Sequence, residues 1–132
     1  MNIEIREFQE KDSLDVNKIL MDVFSHERHN VSGDMFHEVV AVMDDKVVGY
    51  LLLTKVINPI REKCYYLVDY VCVSSESRGH GIGKQLLDKA YQIAKEDDAM
   101  YLQLTCSRFR IPAHKLYEKC NYIKRDSDIY RK

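Results

Sequence analysis

The chain has 132 residues, of which 45% are hydrophobic and 31% charged, with a formal net charge of -1. This composition fits one globular domain spanning residues 1–132 and excludes a disordered chain. Near-neutral charge without a long basic run argues against a nucleic-acid partner. No apolar run approaches the roughly 20 residues of a membrane span, and the first residues lack a signal-peptide pattern. We therefore expect a cytoplasmic protein with no membrane partner.

The first half of the chain predicts a strand, a helix and two further strands. Alternating apolar and charged residues indicate a half-buried strand, whereas apolar residues three and four apart indicate an amphipathic helix. Residues that can cap a helix stand directly before the helical pattern, and a polar turn joins the last two strands. In chain order the predicted elements are a strand at 3–8, a helix from Asp12 or Ser13 to Phe24, a weak helical turn at 32–36, and strands at 38–43 and 47–56.

The second half alternates strands with helices and ends in a predicted hairpin. Pro112 suits the first turn of a helix, because its missing N–H is not needed there. This order predicts one mixed α/β domain in which helices cover a sheet. The predicted elements are a strand at 64–73, a helix at 82–94, a strand at 100–106, a helix that opens at Ile111, and short strands at 122–124 and 129–131.

The cysteines and histidines carry no disulfide or metal signature. Without a C-x-x-C pair, the four cysteines are interpreted as reduced thiols, two of them inside strands. Three histidines lie close together in sequence, but their spacing matches no common metal site, so we expect no metal. The cysteines are Cys64, Cys72, Cys106 and Cys120, and the histidines are His26, His29 and His37.

The most informative segment is the run Arg78-Gly79-His80-Gly81-Ile82-Gly83, between a predicted strand and a predicted helix. Its glycines leave backbone N–H groups exposed, and the start of the following helix adds a positive dipole end, so the turn suits an anion such as phosphate. The spacing excludes a Walker loop and a G-x-G-x-x-G dinucleotide turn. A plain glycine-rich connection is the alternative interpretation.

Two motifs resemble signatures of the GNAT family of N-acetyltransferases. The glycine run matches Arg/Gln-x-x-Gly-x-Gly/Ala, the family's loop for the pyrophosphate of acyl-coenzyme A (CoA). The segment Ala113–Tyr122 is similar to the A-x-x-F/L-Y-x-x-x-G-F/Y signature, and the predicted elements follow the family's order. The resemblance implies the family's α/β fold, a central, mostly antiparallel sheet of six or seven strands flanked by about four helices.

Two positions depart from these signatures. Asn121 stands where the family usually has glycine, but asparagine also tolerates the left-handed backbone that ends a helix. Arg110 stands where many members have an asparagine that contacts the cofactor arm. Arg-x-x-Ala-His-x-F/L-Tyr is itself a variant within the family, so Arg110 is kept among the expected cofactor residues.

The resemblance implies direct transfer of an acetyl group from acetyl-CoA to an amine. The pyrophosphate would bind N–H groups of the glycine turn, with charged contacts from flanking side chains. Pantetheine would pair with the preceding strand, where the N–H of Val71 would stabilise the tetrahedral oxyanion. The implied cofactor residues are Val71, Cys72, Val73, Arg78, Gly79, His80, Gly81, Ile82, Gly83, Lys84 and Arg110.

Two further side chains match the family's catalytic positions. Asp69 stands where many members carry a glutamate base, and as a shorter acid it would deprotonate the amine through water. Tyr117 matches the helix tyrosine that protonates the leaving thiolate, and its ordinary pKa of ~10 lies above the ~8.5 of a thiol. The alternatives are that Asp69 is held by a structural partner and that Tyr117 only packs on its helix and contacts the sulfur.

The leading hypothesis is an N-acetyltransferase that acts on a primary amine of a small molecule. Protein lysine or amino-terminal acetylation and a non-catalytic acetyl-CoA-binding regulatory module are the alternatives. An acyl-cysteine at Cys72 or Cys106 is not expected, since no paired histidine is visible. The acceptor would lie against segments 25–36 and 56–63, which carry no motif. Family members are often dimers, which leaves a homodimer open.

Overall fold

The computed structural model describes residues 2–132, which form five strands and three α-helices joined by loops and two short 3-10 turns. The mixed α/β class predicted from the sequence is confirmed. In chain order the elements are β1 (Ile3–Glu7), α1 (Ser13–Phe24), β2 (Phe36–Met43), β3 (Lys46–Asn58), β4 (Lys63–Val73), α2 (Ile82–Glu96), β5 (Leu102–Leu104) and α3 (Ile111–Lys119).

The strands form a single sheet in the order β1-β2-β3-β4-β5. Neighbouring strands are antiparallel except β4 and β5, which run parallel. Because successive side chains of a strand point to opposite faces, Val39 and Ala41 pack with α2 whereas Val40 packs with α1. α1 and α2 bury their apolar stripes against opposite faces, so the sheet has a core on both sides.

Three details of the predicted fold are wrong. The resemblance implied six or seven strands and about four helices, but residues 2–132 contain five strands and three α-helices. The helical turn predicted at 32–36 is absent, because residues 32–35 form an exposed loop and Phe36 begins β2, and no hairpin forms from 122–124 and 129–131. Tyr122 instead packs against the core. The charged, exposed tail beyond it has too few apolar residues to hold two strands on a sheet.

The shortest strand determines where the sheet opens. The sequence predicts a strand over 100–106, but only Leu102–Leu104 pairs with β4, opposite Tyr66–Val68. After the pair Val68–Leu104, the described residues 2–132 form no further pair between β4 and β5, so the two strands separate. The carboxyl ends of two parallel strands thus border a cleft, which is the usual place for a ligand in an α/β sheet.

Candidate active site

The cleft between β4 and β5 contains a cavity of about 330 Å³. This volume lies at the lower end of the range for small-molecule sites. β4 contributes Val68–Val71, the segment after β5 contributes Thr105–Ser107, and the remaining wall consists of Phe24, Arg110 and Tyr117. Four residues that the sequence predicts for the site therefore border one cavity, namely Asp69, Val71, Arg110 and Tyr117.

A β-bulge in β4 shapes one wall of the cavity. Between the pairs Leu52–Asp69 and Tyr50–Cys72, β4 uses three steps where β3 uses two. The extra residue is accommodated at Tyr70, whose φ of 57° lies in the left-handed region. A residue with a bulky side chain is strained there, and bulges of this kind recur beside active sites because they redirect the strand.

Asp69 and Val71 flank the bulge. The Asp69 side chain is exposed and takes part in none of the ion pairs that residues 2–132 form. An acid without a structural partner favours the functional interpretation of Asp69. Val71 lies beyond the last β4–β5 pair at Val68, which is compatible with a backbone N–H that is available to an oxyanion.

The glycine turn leads into α2, whose first turn is uncapped. Gly79 (φ 86°) and Gly81 (φ 73°) both adopt the left-handed backbone, and a Cβ on either would meet nothing within 4 Å. Glycine is therefore required here for conformation rather than for packing. α2 has neither a side-chain cap nor an acidic residue in its first turn. Its first N–H groups thus remain available to an anion, as the sequence predicts.

The third glycine of the turn has a packing role. A Cβ on Gly83 would lie 3.0 Å from Leu116 Cδ2, so glycine lets α3 approach the first turn of α2. A similar approach occurs at Gly49 in β3, where a Cβ would lie 3.0 Å from Ile82 Cγ2. Gly49 thus lets the start of α2 pack closely on the sheet. Because Gly49 belongs to no motif, sequence reasoning missed this role.

The charged side chains around the glycine turn lie on the surface. Arg78 and His80 are both exposed. Lys84 forms an ion pair with Asp88, in which Nζ and Oδ2 are 2.8 Å apart and both side chains are more than half exposed. An exposed pair of this kind is weak, so Lys84 can exchange it for a phosphate. The phosphate contacts predicted for Arg78, His80 and Lys84 stay predictions.

Tyr117 borders the cavity from α3. Burial raises the pKa of its hydroxyl and the nearby Cys106 thiol adds to this effect, whereas Arg110 lowers the pKa. The phenol is therefore protonated at neutral pH, which a proton donor requires. Its ring centroid lies 6.0 Å from that of Tyr122. The Tyr122 hydroxyl is buried without a hydrogen-bond partner among residues 2–132.

The side chain of Cys72 does not border the cavity. It is buried in the core beneath α1, and burial raises the pKa of its thiol to about 12. A thiol that holds its proton so firmly is a poor nucleophile, in keeping with the expectation that no acyl-cysteine forms. Only the backbone of Cys72 is therefore suited to the predicted role in cofactor binding.

Sequence reasoning missed the aromatic part of the cavity wall. Phe24 and Tyr70 meet edge to face with their ring centroids 5.2 Å apart. The guanidinium carbon of Arg110 lies 5.3 Å from the Phe24 centroid. Phe24 has the spacing of an ordinary core residue in a helix, and no sequence signal indicates the bulge at Tyr70. Of these three residues, only Arg110 is predicted from the sequence.

Residues 2–132 show neither a metal-ligand cluster nor a helix that could cross a membrane. Residues 2–132 contain no group of three or more His, Cys, Asp or Glu side chains that could hold a metal ion. Over the same range, no helix has both the length and the apolar character that crossing a bilayer requires. The expectation that no metal takes part stays a prediction.

Comparison with known proteins gives one family match and many similar folds. The sequence profile of the acetyltransferase (GNAT) family matches residues 2–122. A search of curated proteins finds no significant match. A transcriptional regulator from Bacillus halodurans is 24% identical, with 99% of each chain covered and a TM-score of 0.86.

Two solved structures with enzyme names also share the fold. A ribosomal-protein-alanine N-acetyltransferase from Brucella melitensis is 21% identical, with 98% of this chain and 97% of that chain covered and a TM-score of 0.83. An aminoglycoside acetyltransferase from an uncultured soil metagenomic sample is 17% identical, with 98% and 95% covered and a TM-score of 0.82. At these identities the likeness establishes the fold alone.

Proposed function

Since the chain belongs to the acetyltransferase (GNAT) family, we propose that it transfers an acetyl group from acetyl-CoA to a primary amine of a small molecule. Residues 1–132 would form one catalytic domain that acts by direct attack in a ternary complex. The observation on which this proposal depends is that an acid on β4 and a protonated phenol on α3 border the same cavity. A cytoplasmic location without nucleic-acid or membrane partners stays a prediction.

The residues present fit the donor. The first turn of α2 offers uncapped N–H groups to a pyrophosphate, and the exposed Arg78 adds positive charge beside them. The open space at Gly79 and Gly81 leaves room for an approaching group. Acetyl-CoA would supply an activated thioester at the cavity. The N–H of Val71 would donate a hydrogen bond to the oxygen on which negative charge develops.

Asp69 and Tyr117 would divide the proton transfers. A lysine-like amine with a pKa of ~10.4 is only about one part in a thousand neutral at pH 7, so a base must take its proton. Asp69 takes this proton through a water molecule, because its side chain is short. Tyr117 donates its phenolic proton to the sulfur as the C–S bond breaks, and burial keeps that proton in place until then.

Release of free thiol from acetyl-CoA over a panel of amines tests this function. Because proteins of this fold are named for aminoglycoside and ribosomal-protein substrates, the panel contains polyamines, aminoglycosides, amino acids and peptides. We expect release with at least one small molecule. Tyr117→Phe should lower kcat about 100-fold at saturating acetyl-CoA, whereas Tyr130→Phe, in the exposed tail, should not.

The other outcomes of this screen are equally informative. An unchanged kcat for Tyr117→Phe would remove Tyr117 from proton transfer. Thiol release with peptides alone would identify a protein substrate instead of a small molecule. Acetyl-CoA binding without release for any amine would contradict the enzymatic proposal and favour a regulatory module.

A further inference from the structure

We propose that the acceptor is a free α-amino acid with an apolar side chain, whose carboxylate binds Arg110 while its ammonium group faces Asp69. This inference rests on the proposed acetyltransferase function and names the class of its substrate.

The cavity offers one charge of each sign. Among the residues that border it, only Asp69 and Arg110 carry a formal charge. Neither belongs to an ion pair within residues 2–132, with each other or with a third group, so both charges are available. Such a site is complementary to a ligand with a negative group that faces Arg110 and a positive group that faces Asp69.

Arg110 is oriented while its hydrogen-bond donors stay unused. Its guanidinium carbon lies 5.3 Å from the Phe24 centroid, a cation–π contact that holds the planar group. By contrast, Arg6 and Arg28 each direct two hydrogen bonds to one carboxylate, that of Asp12 and that of Glu38. The guanidinium of Arg110 can donate the same pair of hydrogen bonds to a carboxylate that enters the cavity.

The Arg110 guanidinium and the N–H groups that suit the pyrophosphate belong to different elements. Arg110 is the N-cap residue of α3, and its contact residue Phe24 is the last residue of α1. The uncapped N–H groups belong to α2. Because Arg110 borders the same cavity as Asp69, it is assigned here to the acceptor instead of the cofactor, to which the family resemblance assigned it.

The size of the cavity and one aromatic pair on its wall favour a small acceptor with an apolar side chain. About 330 Å³ must accommodate the reacting end of the donor together with the acceptor. An amino acid fits this space, whereas an amine of aminoglycoside size cannot enter it whole. The edge-to-face pair of Phe24 and Tyr70 provides an apolar surface for an aliphatic or aromatic side chain.

Thiol-release kinetics with matched substrates test this inference. L-leucine and L-phenylalanine are compared with leucine amide and phenylalanine amide, which keep the amine and lose the carboxylate charge. We expect kcat/KM to be about 10- to 100-fold higher for the acids, because the amides cannot form the charge-assisted pair.

Arg110→Gln isolates the contribution of the guanidinium. We expect the KM for the amino acid to rise about 10- to 100-fold with little change in kcat or in the KM for acetyl-CoA. The kinetics of the amides should be unchanged. Arg108→Gln is the matched control, since Arg108 is exposed and does not border the cavity.

Three results would overturn the inference while leaving the proposed function intact. The amides could react as well as the acids, thiol release could be confined to amines without a carboxylate such as polyamines, or Arg110→Gln could raise the KM for acetyl-CoA instead. The last result would assign Arg110 to the coenzyme. Absence of thiol release with every amine tested would instead refute the proposed function, and the inference with it.

Discussion

Single side chains at the cavity owe their chemistry to their surroundings. Burial raises the pKa of the Tyr117 hydroxyl and that of the Cys72 thiol, the latter to about 12. The cause is the same, because desolvation disfavours the charged form of either group. The consequences differ, since a proton donor must keep its proton until it acts and a nucleophilic thiol must lose its own. Tyr117 is therefore suited to its proposed role and Cys72 is not suited to covalent catalysis.

The left-handed backbone of Gly81 leads to a prediction for donor binding. Alanine at this position would be disfavoured by about 1–2 kcal/mol in the present conformation, so the turn would relax to another one. Because binding would have to restore the original turn, Gly81→Ala should raise the Kd for acetyl-CoA about tenfold. Isothermal titration calorimetry measures this change.

Gly33→Ala is the matched control for this variant. A Cβ on Gly33 would meet only ordinary contacts, the nearest at 3.5 Å from the Phe36 ring. We expect its Kd to equal that of the wild-type protein. An unchanged Kd for Gly81→Ala would show that the turn does not bind the donor.

At the scale of elements, Arg28 links the segment after α1 to the sheet through hydrogen bonds. Arg28 forms two hydrogen bonds, of 2.8 and 2.9 Å, with the carboxylate of Glu38 in β2. Its backbone N–H donates to Asn17 Oδ1, and its guanidinium lies 4.0 Å from the Phe8 ring centroid. Tyr50 donates a further hydrogen bond to Glu38. The network therefore orders the chain directly beyond Phe24.

Removal of the Arg28 guanidinium should destabilise the fold. The side chains of Arg28 and Glu38 are only 10% and 12% exposed, so Arg28→Met would leave a largely buried carboxylate without its cation. We expect the free energy of unfolding to fall by about 3 kcal/mol. Urea unfolding followed by circular dichroism measures this change.

Asp88→Asn provides the comparison for an exposed pair. It removes the Lys84–Asp88 ion pair, whose side chains are 55% and 58% exposed. The expected loss is below about 0.5 kcal/mol. Equal effects of the two variants would mean that the Arg28–Glu38 pair stabilises the protein no more than a solvated pair does.

Over the whole molecule, the elements with strong local signals were predictable. The three α-helices and four of the five strands lie close to their predicted ranges, because apolar periodicity and helix-capping residues act within a single element. The carboxyl end of β5 was not predictable, because β5 ends at Leu104, opposite Val68 and next to the bulge that β4 forms with β3. The predicted hairpin of the tail does not form, because the exposed segment beyond Tyr122 has too few apolar residues to hold two strands on a sheet.

The candidate site likewise contains residues that could be predicted from the sequence and residues that could not. Asp69, Arg110 and Tyr117 belong to motifs and border one cavity. Phe24 and Tyr70 belong to none, and the φ of 57° at Tyr70 results from strand pairing rather than from any preference of tyrosine. Residues that act through their own chemistry could thus be predicted, whereas those that act through shape required the structure.

Backbone-amide NMR during titration with acetyl-CoA tests the central claim, that the donor lies along the glycine turn and the bulge of β4. We expect saturable chemical-shift changes that are largest at residues 79–84 and 69–71. The amides of Phe36–Glu38, which border a separate cavity of about 190 Å³ beside Glu7 and Phe8, should change little. Saturable binding with its largest changes outside the glycine turn and the bulge, or no binding at all, would contradict this claim.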